Sequence, residues 1–125
     1  MTVCRGIRGA ITVDRNNRQE IKDAAKRLLV EMTDENAVMP DDIASVIFSV
    51  TDDLDASFPA EGARDLGWSY VPLFCCREMA VPGSLPRCLR ILMHVNTKTE
   101  PENIKHIYLE EAEGLRPDLK RRKQP

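Results

Sequence analysis

Arg90 is the residue of this sequence whose type and position most clearly could do chemistry. It lies within the apolar run Leu89 to Val95, which reads as a central strand. Side chains alternate between the two faces of an extended chain, so Arg90 shares a face with Leu92 and His94. A guanidinium is almost never buried without a partner. Arg90 therefore requires an anion, which is either a carboxylate of the protein or a bound ligand.

A second arginine, Arg8, lies in a run of small residues near the N-terminus. Val3 to Val13 reads as a strand in which Arg8 shares one face with Gly6 and Ala10. Glycine within a strand often marks a close approach by another backbone or by a ligand. The G-x-x-G spacing is also compatible with tight packing alone, so an anion site at Arg8 remains one of two readings.

Glu78 is the carboxylate that adjoins the third apolar run, just before the Pro/Gly-rich turn that leads to Arg90. A Glu78–Arg90 pair across neighbouring strands would be a structural ion pair. The same two residues are equally the pattern of a polar pocket. The residues alone leave both possibilities open.

Other catalytic patterns are missing from the sequence. There is no nucleophile–base pair and no phosphate-binding loop. The cysteines and histidines lack the paired spacing of a zinc site, so we expect no metal; they are Cys4, Cys75, Cys76, Cys88, His94 and His106. We expect the cysteines to be reduced and to serve as small apolar core residues.

The elements that position these residues follow from periodicity. Asn16 or Asn17 can cap a helix, and Glu20, three residues after Asn17, suits a capping box. The apolar periodicity that follows predicts an amphipathic helix from about Arg18 to Glu35. Further strands are predicted at Ala44–Thr51, Tyr70–Cys76 and Ile104–Glu110, the last with Tyr108 on the face of Ile104 and His106. Short helices are predicted after Pro40 and between Pro59 and Gly67.

Composition limits the classes of function. The chain has 125 residues, a net charge of −2, 42% hydrophobic and 30% charged residues, as expected of one ordinary globular domain. This charge argues against nucleic acid or an anionic membrane as the main partner. No apolar run approaches the roughly 20 residues of a membrane span, and the N-terminus lacks a signal-peptide core. We therefore expect a cytoplasmic protein.

Six blocks of the sequence occur together in the order and spacing of one known family: R-G-I-R-G-A-I-T-V, F-P-A-E-G-A-R, W-S-Y-V-P-L-F-C-C-R-E-M, C-L-R-I-L-M, I-K-H-I-Y-L-E and L-R-P-D-L. The chain resembles the monofunctional trimeric chorismate mutases of the AroH class over nearly its whole length. The resemblance implies an α+β fold, with a mixed five-stranded sheet, one long helix and short helices, in a trimeric pseudo-α/β-barrel. Residues 1–125 would form a single chorismate mutase domain, with a flexible C-terminal tail after about residue 117.

The resemblance also implies a reaction and a set of roles. Chorismate would rearrange to prephenate, the branch step toward phenylalanine and tyrosine, at active sites between the subunits of a homotrimer. Arg90 would stand at the ether oxygen and a neighbouring carboxylate, Arg8 and Tyr108 at a carboxylate, and Glu78 and Cys75 at the hydroxyl group. The implied substrate-binding residues are Phe58 and Arg64 from the adjacent subunit, Leu73 and Leu115 at the ring, Phe74 in the pocket lining, and Arg116 closing from the tail.

The residues and this chemistry fit each other. Chorismate is a dianion, which suits the planar fork of a guanidinium. A rearrangement within one molecule requires no acid, base, nucleophile, metal or cofactor, which agrees with the missing catalytic patterns. The alternatives are a trimeric Rid-type imine deaminase, whose own signature around its arginine is not seen, and a non-catalytic anion-binding module. Turnover of chorismate, followed in the ultraviolet, discriminates among the three.

Overall fold

Five strands and two α-helices form the part of the chain that the computed structural model describes, residues 1–116. In chain order they are β1 (Val3–Thr12), α1 (Arg18–Glu35), β2 (Ile43–Val50), α2 (Ala60–Asp65), β3 (Leu73–Arg77), β4 (Cys88–Thr97) and β5 (Ile107–Leu109). Single turns of 3₁₀ helix occur at Pro40–Asp42 and Pro101–Asn103, and a longer 3₁₀ segment occurs at Glu110–Leu115. The tail predicted after about residue 117 lies outside the described residues.

The strands form one mixed sheet in the order β3-β2-β4-β1-β5. β4 runs antiparallel to both β1 and β2, while β3 is parallel to β2 and β5 is parallel to β1. The predicted mixed five-stranded α+β fold is therefore confirmed, with β4 at its centre. Of the two readings of Glu78 and Arg90, the one that places them on neighbouring strands is corrected, because β2 lies between β3 and β4.

Helix α1 begins and ends where the sequence predicts. The Asn17 side chain accepts a hydrogen bond from the Glu20 amide at 2.8 Å and donates one to the Glu20 carboxylate at 2.7 Å. The first bond satisfies one of the backbone donors that a helix N-terminus otherwise leaves open, and the second holds the Asn17 side chain in place. The buried apolar stripe of the helix consists of Ile21, Ala25, Leu28, Leu29 and Met32. Neither helix within residues 1–116 is long and apolar enough to cross a membrane.

Helix α2 is held against α1 by close packing at Gly62. A Cβ atom at this position would lie 2.9 Å from the Ala25 Cβ and 2.9 Å from the Lys22 carbonyl oxygen, so only glycine permits this approach. Lys22 Nζ also pairs with Asp65 at 3.0 Å. Docking therefore compensates for the roughly 1 kcal/mol by which glycine weakens a helix.

The helices cover one face of the sheet and leave the other face open. On β4 the residues Leu89, Ile91, Met93 and Val95 are at most 3% exposed. Their alternates on the open face are the half-buried Arg90 and His94, together with Leu92, which is 36% exposed. The predicted distribution of the β4 side chains between two faces is confirmed.

Two predicted strands are longer than the strands observed. β3 begins at Leu73, where its pairing with Val46 starts, and Tyr70 is 99% exposed in the preceding turn. β5 begins at Ile107, so the alternation does not extend back to Ile104. Ile104 packs against the main core, whereas Tyr108 contacts a small cluster on the open face. The prediction that these two residues share a face was therefore wrong.

Candidate active site

One row of side chains crosses the open face of the sheet from β3 to β5. The strand registers pair Cys76 with Ser49, Ser49 with Arg90, Arg90 with Ala10, and Ala10 with Tyr108. Residues that pair directly across strands point to the same face. Since Arg90 and Tyr108 are two strands apart, their backbones are separated by about 10 Å. Ala10 between them is 1% exposed and packs in a small cluster with Cys88 and Ala112.

Arg90 is paired with Glu78, although the two strands are not neighbours. Arg90 Nε lies 3.3 Å from Glu78 Oε2, and the two side chains are 34% and 30% exposed. Glu78 follows the end of β3 and reaches over β2, where Ser49 Oγ donates a hydrogen bond to the same carboxylate oxygen at 2.9 Å. The Glu78 carboxylate is thus oriented by Ser49 and in turn faces the Arg90 guanidinium.

Two polar atoms of this row are buried without a hydrogen-bond partner among residues 1–116. They are Arg90 Nε, whose contact with Glu78 lacks hydrogen-bond geometry, and the hydroxyl oxygen of Tyr108. Buried donors and acceptors are nearly always satisfied, because each unsatisfied group costs about 1–3 kcal/mol. The row therefore contains two polar atoms whose hydrogen-bonding capacity is not used by residues 1–116.

Arg8 lies in the next row of the open face, opposite Leu92. Its side chain is exposed and forms no ion pair within the described residues. Its backbone N–H donates to His106 Nδ1 at 2.9 Å, which fixes the edge of β1 just before β5 begins. Arg8 thus adds a second guanidinium to the face that carries Arg90.

A small apolar cluster closes the β5 end of the row. Ala10, Cys88 and Ala112 are buried there, with Tyr108 and Leu115 packed against them. Burial raises the pKa of the Cys88 thiol, although the nearby Arg90 guanidinium opposes this shift, so the group stays a neutral thiol at pH 7. Leu115 ends the 3₁₀ segment that follows β5, and the half-buried Arg116 comes next.

The other predicted site residues form a second group on the far side of β3, near α2. Leu73 and Cys75 point toward the main core, and burial raises the pKa of Cys75 beside Ala60 and Arg64. Phe58, just before α2, is 70% exposed. A cleft of about 550 Å³ is bordered by Phe58, Cys75 and Cys76.

Within a single chain, the predicted site residues therefore fall into two groups that lie apart. Arg8, Arg90, Tyr108 and Glu78 are together on or beside the open face, whereas the second group lies beside α2. Phe74 lies on the open face of β3, paired with Ile47 and in line with Leu92, and it is 65% exposed.

The cysteines differ from the prediction, and one functional neighbour, Ser49, was not predicted. Only Cys88 is buried as a core residue; Cys75 is half-buried, and Cys4 and Cys76 are exposed. The exposed pair lies on the side of its strands that no helix covers. Ser49 was missed because its role depends on β2 inserting between β3 and β4. Its position among alternating residues of β2 indicates only the face.

Comparison with known proteins identifies the family. The family model for chorismate mutase type I matches residues 4–119. The chain belongs to that family. A chorismate mutase AroH of Thermus thermophilus is 49% identical over 116 residues, covering 92% of this chain and 95% of the relative. The chorismate mutase AroH of Bacillus subtilis strain 168 is 47% identical over 116 residues, covering 92% and 91%.

A solved chorismate mutase structure from Clostridium thermocellum has the same fold. It superposes with a TM-score of 0.87 at 49% sequence identity, covering 88% of this chain and 98% of that one. The resemblance seen in the sequence blocks is thereby confirmed, as are the α+β sheet architecture and the expectation of an enzyme of the isomerase class. Membership of the chorismate mutases also favours this chemistry over that of an imine deaminase.

Proposed function

We propose that this protein converts chorismate to prephenate at active sites shared between the subunits of a homotrimer. The observation that carries the proposal is the row on the open face, in which Arg90 Nε and the Tyr108 hydroxyl are buried and unsatisfied among residues 1–116. Membership of the chorismate mutase type I family supports the choice of substrate. The reduced thiols of four free cysteines suit a cytoplasmic location.

The reaction breaks a C–O bond and forms a C–C bond within one molecule. Even the low end of enzymic acceleration, about 10⁶-fold, requires about 8 kcal/mol of barrier reduction. A fixed donor aimed at the oxygen on which charge develops supplies about 3–4 kcal/mol. In this role Arg90 donates to the ether oxygen, and its position is held by Glu78, which Ser49 orients.

Confinement supplies the remainder of the acceleration. The flexible side chain of chorismate must be held folded over its ring, with the reacting carbon atoms about 3–3.5 Å apart, so that the reactive conformer is already formed in the bound substrate. Arg8 and Tyr108 bind one carboxylate, while Leu115 lies against the ring. Glu78 also accepts a hydrogen bond from the hydroxyl group of the substrate, and Cys75 contacts the same hydroxyl group.

The separation of the site residues supports sharing between subunits. Phe58, Arg64, Leu73 and Cys75 lie near α2, away from the open face that carries Arg90 in the same chain. A second copy would bring its α2 group to the open face of the first. Exposed apolar side chains near β3 suit such a contact; they are Phe58, Tyr70, Phe74, Met79 and Val81. Arg116 then closes the site from the C-terminal end.

Turnover tests the proposal directly. The purified full-length chain is incubated with chorismate, whose loss is followed in the ultraviolet, and prephenate is identified as phenylpyruvate after acid treatment. We expect saturable turnover without any added cofactor or metal. A protein that binds chorismate but leaves it unchanged would be an anion-binding module, and one that instead hydrolyses imines would be a deaminase; either result contradicts the proposal.

A further inference from the structure

The carboxylate of Asp53 holds the backbone at the entrance to β4. Arg87, the residue before β4, donates its backbone N–H to both carboxylate oxygens of Asp53, at 3.1 Å and 3.0 Å. The Thr51 hydroxyl donates to Oδ1 of the same carboxylate. Asp53 lies in the loop after β2, so these bonds join two segments that are 34 residues apart in sequence.

Arg87 needs such a restraint because its backbone is in the left-handed region, with φ of 45°. A residue with a Cβ atom rarely adopts this conformation, and it persists only where the surroundings impose it. Besides Asp53, Val13, the residue that follows β1, holds Arg87 in this conformation. Val13 donates its N–H to the Arg87 carbonyl at 2.9 Å and accepts from Arg87 Nε at 3.0 Å.

The restraint continues into the strand that carries Arg90. Cys88 donates its N–H to the Thr51 hydroxyl oxygen at 3.0 Å, and its carbonyl accepts from the Thr51 N–H at 3.1 Å. The Thr51 hydroxyl therefore links Cys88 to Asp53 through one oxygen atom. Arg90 follows two residues later on the same face, and Glu78 is bonded through its N–H to the Val50 carbonyl at 2.9 Å. Both members of the Glu78–Arg90 pair thus take their position from the end of β2.

We propose that Asp53 is a positioning residue for the rearrangement, which sets the place of the Arg90 guanidinium by fixing the left-handed backbone of Arg87. The inference rests on the proposed function, because it assigns Asp53 to the step in which Arg90 stabilises the breaking bond. A misplacement of about 1 Å in a catalytic group can cost about 10²-fold in rate. Since Val13 and the sheet still hold β4 when Asp53 is removed, a loss of about tenfold is expected.

The ionisation of Asp53 agrees with this role. Burial alone would raise the pKa of the carboxyl, but hydrogen bonds from Thr51 and the Arg87 backbone outweigh it and hold the pKa below its usual value. The group is therefore a carboxylate, able to accept all of these hydrogen bonds at once, at the pH at which the enzyme would work.

The test compares variants of the full-length protein. Asp53→Ala should lower kcat by about tenfold with KM within about threefold of wild type, because substrate binding does not depend on the exact place of Arg90 as the barrier does. Adding Arg87→Gly should restore most of the lost kcat, since glycine adopts positive φ without the restraint. The matched control is Asp52→Ala, whose carboxylate pairs with Arg77 at 3.2 Å; its kcat should stay within about twofold.

Each result of this comparison either supports or overturns the proposed role of Asp53. A folded Asp53→Ala protein with unchanged kcat overturns the proposal, as does a lost kcat that Arg87→Gly fails to restore. If Asp53→Ala does not fold, Asp53→Asn, which keeps one acceptor oxygen, is judged by the same criteria. Absence of turnover in the wild-type protein would refute the proposed function instead. In that case amide exchange at Cys88 in wild type and Asp53→Asn still reports whether the restraint exists.

Discussion

The two faces of the sheet divide stability from chemistry. The face under α1 and α2 is apolar and almost completely buried, with Phe48 and Met93 at 0% exposure. The open face carries guanidinium, hydroxyl and carboxylate groups that are half-buried, and two of their atoms are unsatisfied within residues 1–116. The same strands serve both faces, since alternate residues of β4 go to the core and to the candidate site. Because alternate residues of one strand belong to different faces, a substitution on one face can be compared directly with a substitution on the other.

The largest effect is expected from Phe48→Ala on the covered face. Phe48 is completely buried, so its truncation should lower the free energy of unfolding by about 3–5 kcal/mol. Denaturant unfolding measures this loss, and the kcat of the remaining folded protein should stay near that of wild type. A large fall in kcat with little change in stability would contradict the division between the faces.

Arg90→Ala on the open face is expected to have the opposite effect, with a large loss of kcat and little change in stability. Removing a donor to a developing oxyanion typically costs about 10²–10³-fold in kcat. Because the Arg90–Glu78 pair is partly exposed, the free energy of unfolding should change by less than about 1 kcal/mol. Arg90→Lys serves as control, since it keeps the charge without the planar fork and should recover only part of the rate. Near-normal turnover by Arg90→Ala would remove Arg90 from its assigned role.

A smaller loss is expected from Arg8→Ala. The Arg8 guanidinium has no ion-pair partner among residues 1–116, so its replacement should leave folding unchanged. A hydrogen bond to a charged group is worth about 1.5–3 kcal/mol, which corresponds to a loss of roughly 10- to 150-fold in kcat/KM. Steady-state kinetics check the prediction, and an unchanged kcat/KM would exclude a contact between Arg8 and the substrate carboxylate.

The smallest effect concerns the pH dependence of stability. The pKa of Asp53 is lower in the folded protein than its ordinary value, so its hydrogen bonds contribute fully above about pH 3.9. This contribution disappears as the pH falls through the lower, folded-state value. Denaturant midpoints measured between about pH 5 and 2 should therefore decline less steeply in Asp53→Asn than in wild type. Equal slopes would show that Asp53 does not gain hydrogen bonds on folding.

Local patterns predicted much of this organisation. The bounds of α1 follow from the cap at Asn17 and from helical periodicity, and the two faces of β4 follow from alternation. The position of β2 between β3 and β4 had no local signal, because it depends on pairing between distant segments. For the same reason the sequence did not reveal that Ser49 orients Glu78, or that Asp53 binds the Arg87 backbone.

The separation of the site residues into two groups could not be predicted for a different reason. Alternation along β3 places Cys75 and Phe74 on opposite faces, but it does not indicate which face carries Arg90. Only the register through Ser49 shows that Arg90 lies on the side of Phe74 and Cys76. The sharing of a site between subunits came from the family resemblance and not from any local pattern.

Mixing inactive subunits tests the central claim most directly. Arg64→Ala and Arg90→Ala proteins are unfolded and refolded together in equal amounts, and the presence of mixed oligomers is verified with two different affinity tags. If a site takes Arg90 from one subunit and Arg64 from its neighbour, random mixing leaves about a quarter of the sites with both arginines. We therefore expect about a quarter of the wild-type activity. Mixed oligomers that remain as inactive as either parent would contradict a shared active site.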